Sequence, residues 1–282
     1  SFPCAINPCM SLQEYIKLRQ SSSDFGPYLK LGPLKLYVDG SLGARTAALT
    51  APYADAPDTK GICLYTQDQL DELVLMGAEA NLPIATHAIG DGAMDMVLNS
   101  YQRAKEEVPG WTARPRIIHC QITSPANLKR MSKLKVVADI QPIFVSTDLH
   151  FVEERVGKER AASSYAWKTM QDLGIHTAGG SDCPVESPNP LWGMYAAITR
   201  QDLTGYPEKG WRPEEGLSPL AALELFTMGS AYASQEEEIK GSLTPGKLAD
   251  FVLLPADPTE VPPKELLDMP VIATYVGGNR II

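Results

Sequence analysis

No uninterrupted apolar stretch in these 282 residues approaches the roughly 18 needed to span a bilayer. The first residues also lack a basic segment followed by a long apolar run. A cytoplasmic chain with no membrane partner is therefore expected. Cationic runs are missing too. Lys and Arg number 25 against 34 Asp and Glu, the net charge is −9, and no basic cluster exceeds a pair. Phosphate neutralisation needs clustered cations, so nucleic acid is excluded as the main partner and a small-molecule substrate is expected. The five cysteines, Cys4, Cys9, Cys63, Cys120 and Cys183, are odd in number and form no C-x-x-C, which signals neither a disulfide framework nor a structural zinc site. There is no G-x-G-x-x-G after an early strand and no internal repeat. The 22 Gly and 23 Pro are spread along the chain, which argues against a long disordered region.

What is present is an alternation of two patterns. Short apolar, β-favouring runs occur at Pro3 to Cys9, Pro33 to Val38, Leu82 to His87, Pro115 to His119, Lys135 to Ile140 and Ile175 to Gly180. They show little polar alternation, as expected of strands covered on both faces of a parallel sheet. Amphipathic segments separate most of them. Thr66 with Gln69 forms a capping box ahead of a helix over 67–81, Asp91 caps a helix running to Glu107, Ser124-Pro125 and Ser218-Pro219 open helices over 125–133 and 219–228, and Gly174 closes one over 158–173. The class is α/β, either an open doubly wound sheet or a (β/α)8 barrel short of two units. Beyond residue 240 the texture changes to Gly-Ser-Leu-Thr-Pro-Gly, strands from Ala249 to Leu254 and Val271 to Val276, and a Gly277-Gly278 turn into Asn279 to Ile282. Two domains are expected, residues 1–240 and a β appendage over 241–282.

His87 and His119 fall at the carboxyl ends of expected parallel strands, where α/β folds gather reactive groups. Asp182 closes the last strand in the same way, and Lys35 lies within an early one. One βα unit takes about 30 residues, so successive strands can carry these groups to a common rim. Imidazoles and a carboxylate converging there can hold a divalent ion such as zinc, which acidifies a bound water. His150 lies on a loop and is expected to be solvated. His176, at the start of its strand, is expected to pack.

The ordered segments Leu34-Lys35-Leu36-Tyr37-Val38-Asp39-Gly40-Ser41, Thr86-His87-Ala88-Ile89-Gly90-Asp91, Ile118-His119-Cys120-Gln121, Gly180-Ser181-Asp182-Cys183-Pro184 and Gly241-Ser242-Leu243-Thr244-Pro245-Gly246-Lys247-Leu248-Ala249-Asp250 resemble the amidohydrolase superfamily, closest to its YtcJ-like branch with the N-substituted formamide deformylases. The resemblance runs from about residue 3 to the end. It implies a (β/α)8 TIM-type barrel, incomplete with strands 3 to 8, followed by part of a small β-sandwich. It also implies a metal-dependent hydrolase of non-peptide carbon–nitrogen bonds in amides, formamides or cyclic amides. The implied ligands are Lys35 on strand 4, bridging two metals only when carbamylated, His87 on strand 5, His119 on strand 6 and Asp182 on strand 8. Asp182 would also carry the proton from water to the leaving nitrogen. Asp39, Ser41, Arg45, Asp148 and Arg200 are expected to meet the substrate, with Trp167, Trp192 and Trp211 as candidate pocket walls.

One departure is plain: the strand-1 His-x-His of such enzymes occurs nowhere in this sequence. The resemblance therefore covers the carboxyl-terminal two-thirds. Metal binding by this chain alone is expected to be impaired unless a missing amino-terminal segment or another copy in a homo-oligomer completes the site. The alternative is a non-catalytic relative acting as a binding module.

Overall fold

The computed structural model describes residues 2–5, 11–21 and 29–282. The latter half of the expected first strand, including Cys9, lies outside them. Contacts divide the chain into two compact units, Ser1–Ala138 with Val152–Ser164, and Asp139–Phe151 with Tyr165–Ile282. The second unit thus takes in the residues after 240 together with part of the stretch before it.

In the first unit β1 (Phe2–Ala5), α1 (Leu12–Gln20), β2 (Leu31–Tyr37), α2 (Gln67–Glu79), β3 (Ile84–Ala88), α3 (Asp91–Glu107), β4 (Arg116–His119) and α4 (Pro125–Leu134) alternate as expected. β1 to β4 are parallel neighbours in chain order. β5 (Val137–Ile140) begins here, where the Val137 amide donates to the Pro115 carbonyl at 3.0 Å. β3 and β5 are buried throughout and β2 over five successive residues, which is why these strands read as unbroken apolar runs. Each fully buried Leu, Ile or Met of this core, such as Leu34, Ile84 and Met94, is worth about 1.5–3 kcal/mol of transfer free energy.

Local chemistry sets the helix starts. Thr66 with Gln69, and Ser124 with Asn127, form reciprocal capping boxes, and Ser11 with Glu14 forms a third at α1. Asp91 is not a cap. Gly90 holds that position, and Asp91, the first helical residue, turns its carboxylate to the Thr50 amide (3.0 Å) and hydroxyl (2.5 Å). The helix expected over 158–173 is broken into the end of α6 (Val152–Ala161), which follows a short α5 (Val145–Asp148), and α7 (Trp167–Asp172), with residues 162–166 between them. The break follows from Ser163 and Ser164. Their hydroxyls bond the carbonyls of Thr123 (2.6 Å) and Arg160 (2.7 Å), and such side-chain bonds compete with the helical ladder.

The second unit holds the end of β5, then α5, α7, β6 (Thr177–Gly179), α8 (Pro190–Thr199), α9 (Pro219–Glu224) and α10 (Ser230–Ala233), with a π-helical turn over Leu225–Gly229 joining the last two. The Gly180 amide donates to Ile140 at 3.0 Å, so β6 follows β5 in the ladder. The closing antiparallel sheet is β7 (Phe251–Leu253), β8 (Ala273–Val276) and β9 (Asn279–Arg280), the appendage expected from the sequence. No helix among the described residues is long and apolar enough to cross a membrane.

Candidate functional site

Register places the first three groups. Lys35 pairs with Ala85 and Tyr37 with His87, so Lys35, Tyr37, Ala85 and His87 share one face of the sheet, two residues apart on each strand. Lys35 is buried in the strand and its Nζ lies 4.6 Å from the centre of the Tyr37 ring. His119 pairs with Ala88, the neighbour of His87, and a regular strand would send it to the opposite face. Its φ is +82°, and that of Cys120 is +49°. This left-handed pair, costly for residues with a Cβ, brings the His119 ring edge-on to His87 with centroids 4.4 Å apart. The ladder then resumes, as the Ile122 amide donates to Ile89 at 2.9 Å.

Both imidazoles are buried at the carboxyl ends of their strands. Nδ1 of His87 lies 3.0 Å from Oδ1 of Asp39, close enough for an ion pair but out of line for a hydrogen bond, and that nitrogen has no other hydrogen-bond partner. Asp39 itself is buried, and its carboxylate accepts the amides of Ala48 (2.9 Å), Gly90 (2.8 Å) and Ile89 (3.1 Å). Sequence reasoning had put Asp39 against the substrate. The structure turns it toward backbone amides and His87. The signal was available, because Lys35, Tyr37 and Asp39 alternate with period two.

The remaining candidates lie apart from this cluster in role. Asp182, in the second unit, is exposed just beyond β6, in the left-handed conformation (φ +55°), and opens a turn in which the Val185 amide donates to its carbonyl. Ser41 is exposed and its hydroxyl accepts the Ala44 amide. Arg45 makes a forked pair with Asp55 (2.7 and 3.1 Å), which holds that carboxyl below its ordinary range. Asp148 accepts the Tyr165 hydroxyl at 2.5 Å, and burial, reinforced by that carboxylate, pushes the phenol well above its usual value. Arg200 is 0% exposed, its guanidinium 4.2 Å from the Trp167 ring and 5.3 Å from that of Trp211. Burial pushes it down to about 9, so it remains a cation at neutral pH. Trp192 donates its indole N–H to the Leu267 carbonyl. His150 pairs with Asp202 at 3.1 Å and stacks on Tyr206, and exposed His176 stacks on Tyr232 at 3.7 Å. The buried Asp139 on β5 and Gln121 after β4 were not singled out from the sequence, since each sits inside or beside an apolar run.

His87 and His119 offer two imidazole donors, and Asp39 lies behind one of them as an outer carboxylate ordinarily does at metal-binding histidines; the Lys35 ammonium is no donor unless carbamylated. No group of three or more His, Cys, Asp or Glu side chains at metal-holding spacing occurs among the described residues. His87 and His119 would supply two ligands and Lys35 a third if carbamylated.

The YtcJ protein of Bacillus subtilis (strain 168) is 35% identical over 256 residues, covering 91% of this chain and 48% of that protein. The N-substituted formamide deformylase of Arthrobacter pascens is 25% identical over 251 residues, 89% of this chain and 45% of that one. The solved structure of an uncharacterized metal-dependent hydrolase from Pyrococcus horikoshii OT3 superposes with a TM-score of 0.77 at 30% identity, over 88% of this chain and 50% of that one. The chain thus spans about half the length of the curated relatives it matches. The amidohydrolase family model matches residues 3–282, and the chain belongs to that family, in its YtcJ-like branch.

Proposed function

We propose that this chain belongs to a metal-dependent hydrolase of non-peptide carbon–nitrogen bonds, in amides, formamides or cyclic amides. The observation that carries the reading is the edge-on meeting of His87 and His119, purchased with a left-handed backbone at His119. A divalent ion such as zinc, when bound, would supply Lewis-acid polarisation of a carbonyl and a more acidic water. His87 and His119 would hold it, joined by Lys35 if that side chain is carbamylated. Asp182, exposed just beyond β6, is the carboxylate to which the family resemblance gives the proton transfer. Ser41, Arg45 and Asp148, exposed in part, meet polar substrate groups. Asp39 and Arg200 serve the scaffold instead. The names of the formamide deformylase and of the Pyrococcus hydrolase support the bond type and the metal.

A second reading, a non-catalytic binding module, is favoured by the absence of His-x-His. Zinc content and hydrolysis of N-substituted formamides with added zinc separate the two, measured on the full chain, on a His87→Ala/His119→Ala double variant and on Asp182→Ala. Zinc-dependent turnover lost in both variants is the expected result. Equal rates in all three overturn catalysis by this site, and zinc-free, inactive protein supports the module.

A further inference from the structure

We infer that Tyr37 is a specificity-determining residue of the site: the open side of its ring receives a flat, aromatic substituent, so the favoured substrates are those whose carbon–nitrogen bond carries an aryl group rather than a saturated one. The inference rests on the hydrolase reading for its use and names a substrate class within it.

Tyr37 is the last residue of β2. The five residues before it are buried, as are Val38 and Asp39 after it, yet Tyr37 is 43% exposed. A large ring left partly in water forgoes burial that every neighbour on the strand obtains, and such an exposed aromatic on an otherwise covered strand points to a contact made with something else.

The surroundings of the ring say where that contact would lie. Lys35, two residues back on the same face, places its Nζ 4.6 Å from the ring centre. His87, its partner in register on β3, has its ring tilted by 36° with centroids 5.7 Å apart. The diagonal neighbour on β3, Ala85, contributes only a methyl group, which leaves the ring uncrowded from that strand. Tyr37 and His119 thus both neighbour the His87 ring, at 5.7 and 4.4 Å, and a carbonyl held at the imidazoles sets its substituent within reach of the tyrosine.

The adjoining chain is apolar too. The Leu64 amide donates to the Val38 carbonyl at 2.8 Å, and Leu64 and Ile62 are 55% and 51% exposed, so two more apolar residues flank the end of β2. A flat aryl group gains from such a ring through offset stacking, beyond the area it buries, whereas a puckered saturated ring of equal size gains the area alone. Tyrosine suits the task because its two side-chain torsions leave little freedom to lose on contact.

The test compares N-phenylformamide with N-cyclohexylformamide, which differ in flatness and hardly in size. Dissociation constants are measured by ligand-observed NMR titration on the full chain, on Tyr37→Phe, which keeps the ring, and on Tyr37→Leu, which keeps an apolar side chain without it. Wild type and Tyr37→Phe are expected to bind the phenyl compound about 2- to 10-fold more tightly, and Tyr37→Leu to bind both alike. A wild-type chain that binds the two equally, or binds neither, overturns the inference without any variant having to fold. A phenyl preference undiminished in Tyr37→Leu overturns it as well. Preference that depends on Tyr37, in a chain that hydrolyses neither compound with zinc added, leaves the inference standing and defeats the hydrolase reading alone.

Discussion

His119 pairs in register with Ala88, yet its ring meets that of His87, one residue back on the neighbouring strand. The sheet alone forbids this, and a backbone φ of +82° at His119 permits it.

That strain is measurable. His119→Gly is expected to be more stable than His119→Ala by about 1 kcal/mol or more, because only glycine adopts a left-handed conformation without a Cβ penalty. Urea unfolding of the two variants checks it. An alanine variant as stable as the glycine one would mean that the backbone there is unstrained.

A second prediction concerns acid. Asp71 is buried between α2 and α3, which by itself would raise its carboxyl, but donation from Ser100 (2.5 Å), Gln67 (2.8 Å) and Arg103 (3.1 Å) outweighs burial and the net shift is downward. A depressed folded-state value contributes stability that is present above the unfolded carboxyl value, about 3.9, and lost as pH falls through the folded one. Asp71→Asn should cost about 1–3 kcal/mol at pH 6, with the gap to wild type shrinking below pH 4. Denaturation at pH 6 and pH 3.5 reads the difference.

Arg200 supplies a third. Its Nε donates to the Trp211 carbonyl at 3.2 Å, while Nη1 and Nη2 are buried without hydrogen bonds. A cation so placed costs desolvation that its tryptophan faces repay only in part. Arg200→Met, which keeps the packing and removes the charge, should leave the melting temperature unchanged or higher. Arg200→Ala should cost about 2–5 kcal/mol through the cavity it opens. Equal losses in both would mean that the charge itself stabilises the fold.

β7 carries exposed Val252 and Leu253, exposed Ile272 and Ile282 flank the closing sheet, and β7 has β8 as its one described neighbour. An open apolar edge promotes association. Val252→Lys is expected to raise the concentration at which the chain stays monodisperse in light scattering, with no loss of folded signal by circular dichroism.

Much of this was legible beforehand, element by element. The strands β2, β3 and β5 declared themselves because burial along most of their length leaves them few polar positions, and Thr66, Ser124 and Ser218 marked helix starts through bonds made within three residues. The 158–173 helix was misjudged because its interruption depends on where the Ser163 hydroxyl finds the Thr123 carbonyl, a partner 40 residues away. Arg200 was assigned to substrate on its place after α8, a reading that could not anticipate two tryptophans closing over it.

By itself the sequence determined most strands and helix starts and put His87 and His119 near the ends of theirs, since apolar runs and local capping are encoded within a few residues. Tertiary structure alone decided which of them meet. The turn of His119 toward His87, and of Asp39 away from the pocket toward three amides, depends on register between strands and on backbone groups brought together from distant segments, and no local pattern carries that information.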